Sequence, residues 1–392
     1  MSEIYFDHAA TTPIRPEVFD AMLPFLKEGY GNPSSIYEIA RTSKKALERA
    51  RDQVATALGA QPGEIYFTGS GTEADNWAIR GVAELLKPKG NHIITTAIEH
   101  HAVLHTCEYL AKNGYEITYL PVDDQGIISL EDLEKAIRPE TILITVMAAN
   151  NEIGTLQPIE EIGRIAKERK ILFHTDAVQA VGHIPINVSK MGIDLLSLSA
   201  HKLYGPKGVG VLYCKKGVAL KSFIHGGGQE RGRRAGTENV AGIVALGTAI
   251  ELAVSELEEE AARLSVLRNK VIDGILEQIP HTRLNGHKTL RLPNNANVSF
   301  SFIEGESLLL LLDMKGIFAS SGSACTSGSL DPSHVLLAIG LPHETAHGSL
   351  RITLGRSSTD EQIEYFLKEL PAIVTRLRDM SPLYEDFLKR RA

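Results

Sequence analysis

The residue with most chemistry to offer in this chain is a lysine just past the end of an apolar run. Residues 193 to 198 read as a buried strand, and Lys202 follows within Ser199-Ala-His-Lys-Leu-Tyr-Gly-Pro-Lys-Gly-Val-Gly. A lysine there lies at the carboxyl edge of a sheet, where open α/β folds place their ligands. Held among dipoles and partly desolvated, it can lose its proton and attack a carbonyl, the requirement for a Schiff base. Ser199 and His201 flank it with hydrogen-bonding groups, and Gly205, Gly208 and Gly210 allow a tight turn. On its own the stretch reads equally as a surface lysine after a strand. Asp176 changes the balance. It stands in Phe173-His-Thr-Asp-Ala-Val-Gln, past the apolar run Ile171 to Phe173 and one crossover before the lysine. A carboxylate and a lysine at adjacent strand ends suit pyridoxal phosphate (PLP), which needs one partner for its ring nitrogen and one for its aldehyde.

Two further stretches carry chemistry. Gly69-Ser-Gly-Thr-Glu leads into a helical pattern with Ala74, Trp77, Ala78, Gly81, Val82 and Leu85 on one face. Free N–H groups at that helix start, with the Thr72 hydroxyl beside Gly71, make an anion site suited to a phosphate. The spacing is neither a Walker loop nor a dinucleotide fingerprint. The other stretch is Ala319-Ser-Ser-Gly-Ser-Ala-Cys-Thr-Ser-Gly-Ser, too small and polar to pack, and so expected to be an exposed, mobile loop. Structural cysteines keep apolar company. Cys325, inside this loop, has none, whereas Cys107 on an apolar helix and Cys214 at a strand end fit a structural role.

These residues need a sheet to position them. Apolar runs at 65–68, 91–96, 115–120 and 141–147 alternate with helical patterns at 36–58, 129–137 and 159–169. That alternation argues for an α/β fold with a mainly parallel, doubly covered sheet, to which residues 208–213 add an antiparallel strand. Pro13 and Pro16 are expected to limit helix near the N-terminus. Residues 225–238 read as a glycine- and arginine-rich loop too polar for a core. A helix from Glu238 to about Gln278, broken near its middle, leads to strands at 297–302 and 350–354 and a terminal helix at 360–378. This segregation suits a small α+β domain. The expected organisation is an N-terminal segment, 1–15, packing on the small domain, a large domain over 16–260 and a small C-terminal domain over 261–392.

With 392 residues, 43% of them hydrophobic and 23% charged, the chain is long enough for a large core and ordinary for a globular protein. A formal charge of −7 argues against a nucleic-acid surface. Three cysteines without a Cys-x-x-Cys pair exclude a zinc ribbon or a disulfide framework and favour a reducing compartment. There is no apolar leader-like run at the start and no stretch approaching about 20 apolar residues. The expectation is a cytoplasmic protein with no metal, membrane or nucleic-acid site.

From Tyr5-Phe-Asp-His-Ala-Ala-Thr-Thr-Pro to Leu350-Arg-Ile-Thr-Leu-Gly-Arg the chain resembles a cysteine desulfurase of the NifS/IscS type, a fold-type I PLP enzyme of the class V aminotransferase group. The resemblance implies a large domain built on a seven-stranded sheet. It gives Lys202 the cofactor, and the phosphate to Gly71, Thr72, Ser199 and His201, with Thr237 reaching in from the other subunit of a homodimer. It pairs Asp176 with the ring nitrogen and Gln179 with the phenolic oxygen, and stacks His100 on the ring as a proton carrier. Asn151, beside the cofactor, and Arg351 then face the α-carboxylate of L-cysteine, where a guanidinium fork fits. Cys325 takes the sulfur as a persulfide, leaving L-alanine, and passes it to an iron–sulfur scaffold or tRNA-thiolation enzyme, contacting a cluster during transfer. Two other PLP readings stay open, a selenocysteine lyase and a transaminase, though a transaminase needs no loop cysteine. A plain sulfur carrier would leave Lys202 and Asp176 unexplained.

Overall fold

The computed structural model describes residues 3–321 and 332–390. In chain order the first half holds β1 (Ile4–Tyr5), α1 (Pro16–Lys27), α2 (Glu38–Leu58), β2 (Ile65–Thr68), α3 (Gly71–Leu86), β3 (His92–Thr96), α4 (His101–Ala111), β4 (Glu116–Leu120), α5 (Leu130–Ala136), β5 (Thr141–Thr145), α6 (Ile159–Arg169) and β6 (Leu172–Asp176). The second half holds β7 (Leu195–Ser199), β8 (Gly210–Cys214), α7 (Gln229–Gly232), α8 (Val240–Ser255), α9 (Leu257–Gln278), β9 (Thr282–Leu284) and β10 (Asn295–Phe300). It continues through α10 (Gly305–Asp313), β11 (Ile317–Phe318), α11 (His334–Ala338), α12 (His343–His347), β12 (Ser349–Thr353), α13 (Asp360–Asp379) and α14 (Pro382–Lys389).

Seven strands form one sheet in the order β2-β8-β7-β6-β5-β3-β4. β3 to β7 pair in parallel, and β8 lies antiparallel between β7 and β2. Strands buried on both faces lose the polar alternation of a half-exposed strand. That is why β5 and β7, Thr-Ile-Leu-Ile-Thr and Leu-Leu-Ser-Leu-Ser, are buried at every position. Helices cover both faces. One apolar core gathers Val54, Leu58, Phe173, Ile162, Leu246 and Ile250, and the other Trp77, Ile79, Val103, Leu110 and Leu212.

A second unit is built on the antiparallel sheet β12-β10-β9, whose core takes Phe300, Leu308, Leu350, Phe366 and Leu370. The N-terminus joins it: β1 pairs in parallel with β11, and Phe6 is fully buried in the same core. α8 and α9 link the two units and meet at Glu256 with a bend of 71°.

Two sequence expectations fail for reasons the structure makes plain. Pro16 does not limit a helix but opens α1, at the first-turn position where a missing N–H costs nothing. The arginine-rich loop does enter a core: Glu230 is 6% exposed, binds Arg51 at 2.8 Å and accepts from the Phe67 N–H at 3.0 Å. A buried carboxylate is tolerable when a guanidinium and a backbone donor satisfy it.

Candidate active site

β2 and β7 both run opposite to β8, and β3, β5 and β6 run with β7, so the carboxyl ends of these five strands share one rim. Gly71 follows β2, His100 follows β3 and Asn151 follows β5. Asp176 closes β6, and Lys202 ends the 3-10 turn Ala200–Lys202 that follows β7. Positions up to 131 apart in sequence, from 71 to 202, therefore meet at one edge. The N-terminal loop crosses that edge. Lys202 Nζ donates to the carbonyl of Ala10 at 2.6 Å and to that of Ala9, and Gln179 Nε2 donates to the same Ala9 oxygen at 3.0 Å. His201 Nδ1 lies 3.2 Å from Thr11 Oγ1, and its carbonyl accepts from Thr12.

Packing around Gly71 shows how the stretches interlock. A Cβ there would stand 2.7 Å from Val178 Cγ2 and 3.5 Å from Ser199 Cβ, so α3 starts in contact with both the loop after Asp176 and the end of β7. Ser70 caps α3 by accepting from the Glu73 N–H at 3.1 Å. The first-turn N–H groups of Gly71 and Thr72 have no acceptor inside the helix, which leaves them to an anion.

Asp176 is 6% exposed and accepts from the Val178 N–H at 2.9 Å. Burial raises its acid to about 6, while the Lys202 charge works the other way. A carboxylate this deep calls for a cation partner. A protonated pyridine nitrogen would meet that need, a lysine stands ready for an aldehyde, and a helix start faces Ser199 for a phosphate. The donor set fits PLP.

His100 is the N-cap of α4, and its Nδ1 accepts from the Ala102 N–H at 3.1 Å. Nδ1 is therefore unprotonated and the ring carries its hydrogen on Nε2. Burial, together with the neighbouring His101 and Lys202, pushes its pKa down to about 4. The acceptor role of Nδ1 and the lowered pKa leave a neutral ring with an Nε2–H donor.

Arg351, on β12, is 2% exposed. It bonds Asp7 Oδ1 at 2.8 Å and the Asn151 carbonyl at 3.3 Å, and its Nε lacks a partner among the described residues. Thr237 lies exposed at the surface of a single chain, three residues past Arg234, which grips Glu73 of α3 at 2.8 and 3.1 Å. Cys107 and Cys214 are free and buried, their thiols pushed up to about 12 and about 11 by burial. Cys325 lies outside the described residues.

Sequence reasoning passes over several buried polar groups here. Half-buried Asp7 pairs Arg351, and buried Glu152, held by Ser333, is raised to about 7 by burial. Asp75, Glu99 and His174 lie under the rim, each at most 1% exposed. His174 had one legible signal: it precedes Asp176 by two residues on a strand, so both face the same way.

The aminotransferase class-V family profile matches residues 4–366. The chain is 60% identical over 391 residues to the cysteine desulfurase IscS of Clostridium botulinum, covering 99% of this chain and 98% of that one. It is 62% identical over 380 residues to the cysteine desulfurase IscS of Methanosarcina thermophila, covering 97% and 94%. Among solved structures, a NifS-like protein superposes with a TM-score of 0.90 at 43% identity, over 96% of this chain and all of that one. With the rim, the lysine and the carboxylate in place, these similarities establish that the chain belongs to the class-V aminotransferase family and, within it, to the cysteine desulfurases.

Proposed function

We propose that this protein is a PLP-dependent cysteine desulfurase that takes sulfur from L-cysteine. The observation that carries the reading is the meeting of Lys202, Asp176 and the start of α3 on one rim. PLP, when bound, supplies an electron sink that makes the Cα proton of the amino acid acidic. Lys202 would anchor its aldehyde, and its Nζ would take that proton. Asp176 keeps the ring nitrogen protonated, and Gln179 serves the phenolic oxygen. The Gly71 and Thr72 N–H groups, the Thr72 hydroxyl, Ser199 and His201 hold the phosphate. His100 would face the ring and offer its Nε2–H as a donor. Arg351 and Asn151 receive the substrate carboxylate, which competes with Asp7 for the guanidinium.

Cys325 is assigned the sulfur-accepting role from the sequence. Its thiolate forms an S–S bond as the Cβ–S bond of the substrate breaks, and the electron pair stays with carbon and ends in alanine. Burial of Cys107 and Cys214, which keeps both as thiols, supports the assignment. The test is mass spectrometry after incubation with L-cysteine. One added sulfur on the peptide holding Cys325, absent in Cys325→Ala, is the expected result; a sulfur on Cys107 or Cys214 would refute it.

The active unit is a homodimer in which Thr237 completes the partner's phosphate site. Supporting this, Thr237 is exposed, and Tyr30 and Ile36 stand 76% and 89% exposed, apolar surface that association would cover. Sedimentation should give twice the chain mass. The persulfide goes to an iron–sulfur scaffold or a tRNA-thiolation enzyme. We place the protein in the cytoplasm, where its free cysteines would stay reduced. Among the described residues no single helix is long and apolar enough to cross a membrane.

A further inference from the structure

Two residues past Lys202 the chain holds a tyrosine in a backbone conformation that favours glycine. The Ala200 carbonyl accepts from the Leu203 N–H at 2.8 Å and from the Gly205 N–H at 3.0 Å. Two donors on one oxygen close the turn around Tyr204, whose φ is 60°. Glycine usually fills the left-handed position of such a turn, because a Cβ crowds the backbone there. A bulky residue kept at a strained position beside a reacting group points to work done by its side chain.

Tyr204 is tied on three sides. Its N–H donates to Thr12 Oγ1 at 2.9 Å, and its carbonyl accepts from the Arg15 N–H at 3.0 Å. Both bonds fasten it to the N-terminal segment that crosses the rim. Its hydroxyl reaches into the second unit and accepts from the Arg356 N–H at 2.9 Å. Arg356 lies five residues past Arg351 and three past the end of β12. The fit there is close: a Cβ on Gly355 would stand 2.4 Å from the Tyr204 hydroxyl and 2.3 Å from His8 Cε1. The His8 ring packs on Tyr204 with centroids 5.9 Å apart. One side chain thus spans from the turn of the lysine to the strand that carries the arginine.

We propose that Tyr204 is a positioning residue: its hydroxyl sets β12 against the turn of Lys202, so that Arg351 meets the carboxylate of the substrate. This rests on the reading of Lys202 as the cofactor anchor and Arg351 as the carboxylate anchor. Other bonds cross the same junction, from the His8 N–H to the Thr353 carbonyl at 3.2 Å and from the Arg356 guanidinium to Glu256. They hold the units together without the hydroxyl, so its removal shifts alignment rather than unfolding the chain.

The experiment compares the holoenzyme with Tyr204→Phe, which keeps the ring and the turn and loses the hydroxyl. Hydrogen exchange read by mass spectrometry should quicken in the peptide holding Leu350 to Arg356, where one amide has lost its acceptor. KM for L-cysteine should rise about fivefold, the scale of one hydrogen bond, while kcat falls by less than about twofold and the cofactor's affinity holds. With Arg351→Lys already in place, adding Tyr204→Phe should raise KM little further, because both changes act on one contact. Unchanged exchange in that peptide, or an unchanged KM, would overturn the proposal. So would a rise that multiplies in full with that of Arg351→Lys, since Tyr204 would then act elsewhere. If the KM rise comes with a loosened cofactor and a lower melting temperature, the role is structural and the proposal fails. Arg351→Lys alone separates the underlying reading: a KM it leaves unmoved would strike the carboxylate anchor, whereas the exchange result would still judge the link from Tyr204 to β12.

Discussion

Arg351 shows how one side chain can be legible in type and illegible in state. An arginine near the C-terminal end of a substrate-binding chain is a sensible carboxylate anchor, and the resemblance names it as one. Nothing in the sequence says that Asp7, 344 positions away, holds it at 2.8 Å. The guanidinium is buried, with Nε unpaired among the described residues, so a substrate carboxylate that displaces Asp7 gains a dry, two-pronged partner. Arg351→Lys keeps the charge and loses the fork. We expect KM for L-cysteine to rise by roughly tenfold or more, the scale of a lost charge-assisted hydrogen bond, with PLP still bound. Steady-state kinetics with an absorbance check of the cofactor would test this, and an unchanged KM would assign the carboxylate elsewhere. Lys202 and Asp176 were readable because each follows an apolar run whose end marks a strand edge. The tautomer of His100 was not, because it depends on a backbone N–H that only the turn into α4 brings to Nδ1.

At the level of elements, the contact between α3 and the loop after β6 is a close joint in the site. Gly71 has no positive φ that would demand glycine; what it lacks is room, with Val178 Cγ2 standing where a methyl would go. Gly71→Ala should destabilise the fold by about 1–3 kcal/mol, as overpacking does, and weaken PLP binding by tilting the helix start. Val178→Ala removes the obstructing methyl, so the double variant should recover most of the stability measured by denaturant titration. Equal losses in single and double variants would put the strain elsewhere. Periodicity located most elements well: α6 spans 159–169, the range its apolar spacing implies, because Ile162, Ile165 and Ala166 all face the core. α1 escaped the same reading because its opening proline looks like a breaker. Glu230 and Arg51 escaped because burial of a charge pair leaves no periodic trace; each looks solvated until the other is placed beside it.

Across the whole molecule, buried ionisable groups set two opposing pH limbs. His8, His92, His100 and His201 are pushed down to about 4 and His174 to about 3, chiefly by burial. Below 6.5 the unfolded chain takes up protons that the folded one refuses, so these histidines cost stability as pH falls towards 4. Glu99 and Glu152 are raised by burial to about 8 and about 7. Above 4.5 the unfolded chain releases protons that the folded one keeps, so these acids cost stability as pH rises towards 8. The limbs oppose each other between 4.5 and 6.5, and above 6.5 the acids act alone. With five histidines against two acids below 6.5, stability should peak at about pH 6.5 and decline towards pH 8. Glu99 carries the longest part of that decline, and its geometry makes a clean test. Its Oε1 accepts from Thr96 Oγ1 at 2.8 Å and from the Met147 N–H at 3.0 Å, bonds that a glutamine carbonyl can keep. Glu99→Gln removes the titration without removing the contacts. Near pH 5 variant and wild type should differ little. As pH rises to 8, the variant should gain by up to roughly 1.4 kcal/mol per unit, seen as melting curves that separate with pH. Curves that stay parallel from pH 5 to 8 would mean that Glu99 is already ionised in the fold, and that the dry pocket beneath the cofactor accepts more charge than its burial suggests.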